Sequence, residues 1–253
     1  MDADLIMTNS WKERILARVC SGAMAAFRKT PVRFTPDDLR NLRLSFSQFG
    51  EDLVIADHLL NRREPTKGIY IDAGCFDPFK FSNTRLLSFL GWRGINIDAA
   101  EDVIEKFKVH RPEDYNVCAA LSDKETEMAL LGDEGAASRR LAFPDGKLPG
   151  SLVKTTTLAR VLAGSPFTDR PVDLLDIDCE MHDLEVFKGF PFDKVRPLII
   201  CIEAHREAEL ADLHGELDQR EYAKLGTRGP THIYRDIHSF PKNQSAFVEL
   251  TEL

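Results

Sequence analysis

The sequence predicts an α/β fold of Rossmann type, a mostly parallel central sheet with helices on both faces. Three observations predict it. Short apolar runs alternate with amphipathic stretches from Gly68 to Glu203, the pattern of strands joined by right-handed crossover helices. Acidic residues stand at the ends of several of those runs, where open α/β sheets bind ligands. The length, 253 residues, suits one such domain with extensions.

The elements are expected in this order. Residues 10–29 read as an amphipathic helix, with Ile15, Leu16, Val19 and Ala23 on one face, and Pro31 and Pro36 mark a connector after it. A second helix is predicted over Glu51–Arg62, with Leu53, Val54, Ala56 and Leu59 inward. Gly68–Asp72 is the first strand. Ser82 or Asn83 is expected to cap a helix with Leu86, Leu87 and Leu90 on its apolar face, and Gly91 closes it. Gly94–Asp98 is the second strand, Glu101–His110 a helix built on Val103, Ile104 and Phe107, and Tyr115–Leu121 the third strand. Residues 124–150 read as polar and irregular apart from one short strand at Glu127–Leu131. A helix at Thr157–Leu162, a strand at Val172–Ile177, a helix at Leu184–Phe190 and a strand at Pro197–Glu203 follow. A charged helix is expected over Glu207–Leu225, then two weak strands near Ile233 and Phe247.

Composition narrows the function. Apolar residues are 43% and charged residues 29%, enough for a sizeable core. Net charge is −8, which leaves no electrostatic footprint for nucleic acid. Residues 1–44 carry about +3 against −11 for the rest, so they are read as an N-terminal helical extension to a domain spanning 45–253. The five cysteines are odd in number and lack a C-x-x-C; Cys118 and Cys201 fall in runs expected to be buried. A reduced, cytoplasmic setting follows from that usage. No apolar run reaches the length of a membrane span, and no signal-peptide pattern precedes the domain.

Ile71–Pro78 (I-D-A-G-C-F-D-P) places an acidic residue and a glycine in the turn after the first strand, which lets backbone approach a ligand closely. The full glycine triplet of dinucleotide sites and the Gly-Lys-Ser/Thr of P-loops are missing, so a less phosphate-rich nucleoside fits better. Asp98 ends the second strand 24 residues after Gly74, about where Rossmann-type folds present a carboxylate to ribose hydroxyls.

Several strings together resemble the FkbM-type methyltransferases: S-F-S-Q-F-G-E-D-L (Ser45–Leu53), Y-I-D-A-G-C-F-D-P-F-K-F-S-N-T (Tyr70–Thr84), G-W-R-G-I-N-I-D-A (Gly91–Ala99), F-K-V-H-R-P (Phe107–Pro112), D-L-L-D-I-D-C-E (Asp173–Glu180) and I-I-C-I-E (Ile199–Glu203). The resemblance implies a class I methyltransferase fold and transfer of a methyl group from S-adenosylmethionine to a hydroxyl of a sugar or natural product. It implies that Asp72 and Gly74 form the cofactor turn, that Asp98 holds the ribose, and that Ser82 and Asn83 line the same pocket. Ser122 and Asp123 would lie near the adenine, with Gln48, Glu51 and Asp52 closing the site. Two departures stand out: Met181 replaces the glycine of an I-D-x-E-G motif, and Asp176 stands where Lys or Ser is common.

Asp178 and Glu180 end the fourth strand, and Glu203 and His205 the fifth, so adjacent strands would bring them together. Three roles fit. His205 as general base is one; a divalent metal on Asp178, Glu203 and His205 is another; a structural hydrogen-bond network is the third. Asp178, Glu180 and His205 are the catalytic candidates. An NAD-linked oxidoreductase and a catalytically impaired nucleoside-binding module are the competing functions.

Overall fold

The computed structural model describes residues 44–60, 68–132, 140–142 and 151–239. The helix expected at 10–29 and the strand expected near Phe247 lie outside them. Every element below belongs to the unit that begins at Ser47.

The chain enters through helix α1 (Glu51–Leu60) and then alternates β1 (Ile69–Ala73), α2 (Arg85–Phe89), β2 (Arg93–Asp98), α3 (Glu101–His110) and β3 (Tyr115–Cys118). A second, smaller sheet follows, made of β4 (Ala120–Leu121), β5 (Glu127–Leu131), β6 (Arg140–Ala142) and β7 (Ser151–Thr156). The alternation resumes with α4 (Leu158–Ala163), β8 (Leu174–Ile177), α5 (Asp183–Lys188), β9 (Ile199–Glu203) and α6 (Glu207–Gln219), and closes on the hairpin β10 (Tyr222–Arg228) and β11 (Thr231–Asp236).

The large sheet runs β3-β2-β1-β8-β9-β11-β10. All pairs from β3 to β9 are parallel, and β11 alone is inserted antiparallel between β9 and β10. Strand order reverses between β1 and β8, and a ligand crevice belongs beyond the carboxyl ends at that switch point. This is the expected Rossmann-like architecture.

Helices cover both faces, so the central strands read as continuous apolar runs and not as alternating ones. On one face Ile71, Ile97, Ile177 and Ile202 pack against Leu158 and Leu162 of α4, Phe187 of α5 and Leu213 and Leu217 of α6. On the other, Tyr70, Leu174, Ile199 and Cys201 meet Ile55 and Leu59 of α1, Leu87 of α2 and Trp92. The α1 stripe differs from expectation: Ile55, Ala56 and Leu59 are buried, together with Glu51 and Asp52, while Leu53 and Val54 are half-buried.

Five further expectations are corrected. The third strand is not continuous to Leu121. Ala119 N donates to Asp98 O at 2.8 Å, and the chain then leaves the large sheet, so that Ala120 and Leu121 pair in parallel with Thr155 and Thr156. Cys118 is exposed because β3 is the sheet's edge. Residues 124–150 are not irregular around one strand, since β5 pairs antiparallel with both β6 and β7. The helix expected to Leu225 stops at Gln219. Glu221 turns the chain at φ 58, and Tyr222 is buried with its hydroxyl donating to Pro197 O at 2.8 Å. At α2 neither Ser82 nor Asn83 caps; Thr84 holds the N-cap position without a capping bond.

Candidate active site

A cleft opens at the switch point. It is a partly open groove lined by residues from β1, β2, β8 and β9 and from the small sheet, the place where open α/β sheets hold small ligands. Register explains which groups meet there. Ala73, Ile177 and Ile202 are aligned across β1, β8 and β9, so Gly74, Asp178 and Glu203 come next at the carboxyl ends. Thr231 pairs with Glu203, and Asp98 ends β2 on the other side.

The turn after β1 requires its glycine. Gly74 has φ +86, and a Cβ there would lie 1.8 Å from the Asp178 carbonyl oxygen. Gly74 N and Cys75 N both donate to Ile97 O, and Asp178 N donates to Ala73 O at 2.9 Å. These bonds hold the ends of β1, β2 and β8 against one another. Asp98 caps two turns: its carboxylate accepts from Ala100 N at 2.8 Å and from Phe76 N at 3.3 Å.

Of the residues expected in the site, the structure brings Gln48, Glu51, Asp72, Gly74, Ser82, Asn83, Asp98, Asp178 and Glu180 to the cleft, with Glu203. Asp52 is fully buried and accepts the Ser47 hydroxyl at 2.8 Å. Ser122 and Asp123 line a separate depression with Lys124, His182 and Glu185. The bend at Ala119 carries them away, so the residues of this stretch that do face the cleft are Ala119, Ala120 and Leu121. His205 is outside the lining as well. Its side chain is 42% exposed, and its Nε2 lies 2.8 Å from Glu203 Oε2. Among the described residues no group of His, Cys, Asp and Glu has metal-holding geometry, so the trio Asp178, Glu203 and His205 is not assembled as a ligand set.

Sequence reasoning missed Arg111. It is 2% exposed, and its guanidinium reaches Thr84 Oγ1, Ser82 Oγ and Pro78 O, each at 2.8 Å, and Asn96 Oδ1 at 3.3 Å. Thr84 in turn donates to Asp72, whose carboxylate is 3.9 Å from the guanidinium. The Thr84 hydroxyl is therefore committed to Asp72 and does not cap α2. One cation behind the cleft thus ties the first turn to the end of α3. The only signal was its place in the F-K-V-H-R-P string.

The described cleft lining carries seven carboxyl groups, of Glu51, Asp72, Asp98, Asp176, Asp178, Glu180 and Glu203, and no Lys, Arg or His. Burial pushes the Asp72 carboxyl up, opposed by Arg111. Asp176, which accepts from Asn83 Nδ2 at 3.1 Å, is raised well above the usual range by burial and then by Asp72 beside it. Asp178 is raised likewise, by burial first and then by repulsion from Glu203 and Asp183. The lining also carries apolar side chains, Ile97, Val103, Leu121, Leu130 and Leu141, the last three contributed by the small sheet.

Residues 72–226 match the model of the methyltransferase FkbM domain, more than half of the chain. The chain belongs to the FkbM methyltransferase family. Among solved structures, this FkbM domain is similar to a TehB-like S-adenosylmethionine-dependent methyltransferase from Corynebacterium glutamicum, at 13% identity over 90% of this chain and 100% of that one, with a TM-score of 0.36. It is also similar to the delta-N METTL16 methyltransferase domain, at 11% identity over 90% of this chain and 97% of that one, with a TM-score of 0.40. No curated protein sequence matches the chain. Among the described residues no helix is long and apolar enough to cross a membrane.

Proposed function

We propose that this FkbM-family chain transfers the methyl group of S-adenosylmethionine to a hydroxyl of a sugar or natural-product acceptor. The observation that carries the proposal is the row Asp98, Gly74, Asp178 and Glu203 along the carboxyl ends at the switch point, with apolar side chains in the same lining. The donor set fits the cofactor. Asp98 can accept two ribose hydroxyls, the apolar side chains suit a purine, and a lining of carboxyl groups without a described cation suits a sulfonium.

When bound, the cofactor supplies an electrophilic methyl group and keeps the sulfur electron pair as the methyl leaves. The chain's own work is alignment and proton removal. Glu203, one strand from Asp178, receives the acceptor's hydroxyl proton. Asp178, whose carboxyl is pushed well above the usual range by burial and then by Glu203, hydrogen-bonds Glu203 and fixes its orientation. His205 contacts Glu203 from the solvent side and passes the proton outward, so it acts one step behind the base. Glu180 borders the acceptor's entry.

Asp98→Ala should weaken S-adenosylmethionine binding by roughly 1–3 kcal/mol, the scale of hydrogen bonds to a charged group, with the fold intact. Unchanged affinity by calorimetry would remove Asp98 from the ribose. A screen with methyl-labelled cofactor against hydroxylated sugars and polyketides tests the acceptor class; label appearing only on nitrogen or carbon would refute O-transfer.

A further inference from the structure

The turn from β8 into α5 delivers Asp178, Cys179 and Glu180 to the cleft. Its backbone is unusual. Glu180 has φ 53 and Met181 φ 72, two successive side-chain-bearing residues in the left-handed region that favours glycine. Such a conformation persists only where its surroundings over-determine it.

The surroundings that do so centre on one carboxylate. Asp183 is 5% exposed, and its Oδ1 accepts from Cys179 N at 2.6 Å while its Oδ2 accepts from Met181 N at 3.1 Å. The two bonds bracket the left-handed pair. His182 adds a weaker tie, its N donating to Cys179 O at 3.3 Å and its Nε2 lying 3.0 Å from Ser122 Oγ. The same turn is pressed against the first one, because the Asp178 carbonyl fills the space a side chain on Gly74 would need. A shift at 179–181 therefore reaches both halves of the cleft.

We propose that Asp183 is a positioning residue whose two-pronged grip on the Cys179 and Met181 amides holds the left-handed turn and keeps Asp178 and Glu180 directed at the cleft. Met181 sits in a backbone conformation suited to glycine, and the Asp183 carboxylate supplies the restraint that a glycine would make unnecessary. The departure at 181 is on this account compensated, and the site is intact. The functional arm of the inference rests on the proposed use of S-adenosylmethionine; the structural arm does not.

The test is a cycle of four proteins: wild type, Asp183→Asn, Met181→Gly and the double variant. The amide variant keeps the size of the side chain but loses one acceptor. Amide hydrogen exchange at 178–182 should quicken about tenfold or more in Asp183→Asn, and the Kd for S-adenosylmethionine should rise by about the same factor, as for loss of one hydrogen bond. Met181→Gly alone should leave both near wild type. The double variant should recover most of both losses, because glycine holds φ > 0 without restraint. A residue that merely stabilised α5 would speed exchange through the whole helix and would not be rescued by a glycine two residues upstream. Wild-type exchange in Asp183→Asn, or no recovery in the double variant, overturns the proposal. If Asp183→Asn fails to fold while the double variant folds, that rescue supports it; if neither folds, it is wrong. Absence of cofactor binding by the wild type would defeat the proposed function while the exchange arm still decides the turn.

Discussion

Arg111 is the residue on which the first turn depends. Its guanidinium is buried, its two terminal nitrogens donate to three oxygens at 2.8 Å while Nε has no partner, and it is set beside the buried Asp72 carboxylate. Taking away one member of such a buried pair leaves the other charge uncompensated, at about 3–5 kcal/mol. Arg111→Met keeps the length of the stem and removes the charge, so denaturant unfolding should show a loss of that size. A loss under about 1 kcal/mol would mean that Asp72 is not relying on it. Asp98 and Gly74 could be singled out in the sequence because spacing along one strand-helix-strand unit places both at strand ends. Arg111 could not, because its partners lie 27, 29 and 33 residues away and meet it only after the sheet forms. Asp183 was hidden for a different reason: a carboxylate ahead of an apolar helix reads as ordinary first-turn acid.

Among the elements, period and punctuation located the strands of the large sheet well, and failed where a tertiary partner overrode them. The α6–β10 boundary is such a place. Residues up to Leu225 continue a helix-compatible pattern, but Tyr222 finds its partner in Pro197 and pairs as strand. That Ser122 and Asp123 line a separate depression was not legible, because nothing in Tyr115–Leu121 signals the bend at Ala119. The β10–β11 hairpin carries its own pH dependence. Burial, then Lys224 and His214, push the His232 imidazole down to about 4 from an ordinary 6.5. The unfolded chain therefore takes up a proton between those values while the fold does not, and stability present above about 6.5 is lost as pH falls toward 4. Thermal unfolding of His232→Gln should show a smaller drop across that window than the wild type. Parallel curves would place the titration elsewhere.

At the largest scale, the described residues of the unit that begins at Ser47 form two sheets of unequal size that share one cleft. The strands of the large sheet and the turns after them supply Gly74 and every cleft carboxyl but that of Glu51, and the small sheet supplies Leu121, Leu130 and Leu141. The chain passes between the sheets at Ala119, where a single backbone bond to Asp98 O ends one ladder and the pairing of Ala120 with Thr155 starts the other. That break has a consequence for cooperativity. With no ladder running across it, the small sheet is free to open as its own unit, at a lower free energy than the core. A ligand lying against Asp98 and Leu130 at once would stitch the two units together, and linkage would add its binding free energy to the opening of the weaker one. Native-state exchange should then show β5 and β7 opening well before β1 and β8 in the ligand-free protein. With saturating S-adenosylmethionine the two groups of amides should converge. Amides of the small sheet that ignore the ligand would mean that the two sheets melt as strangers, and that the cofactor is held by the large one alone.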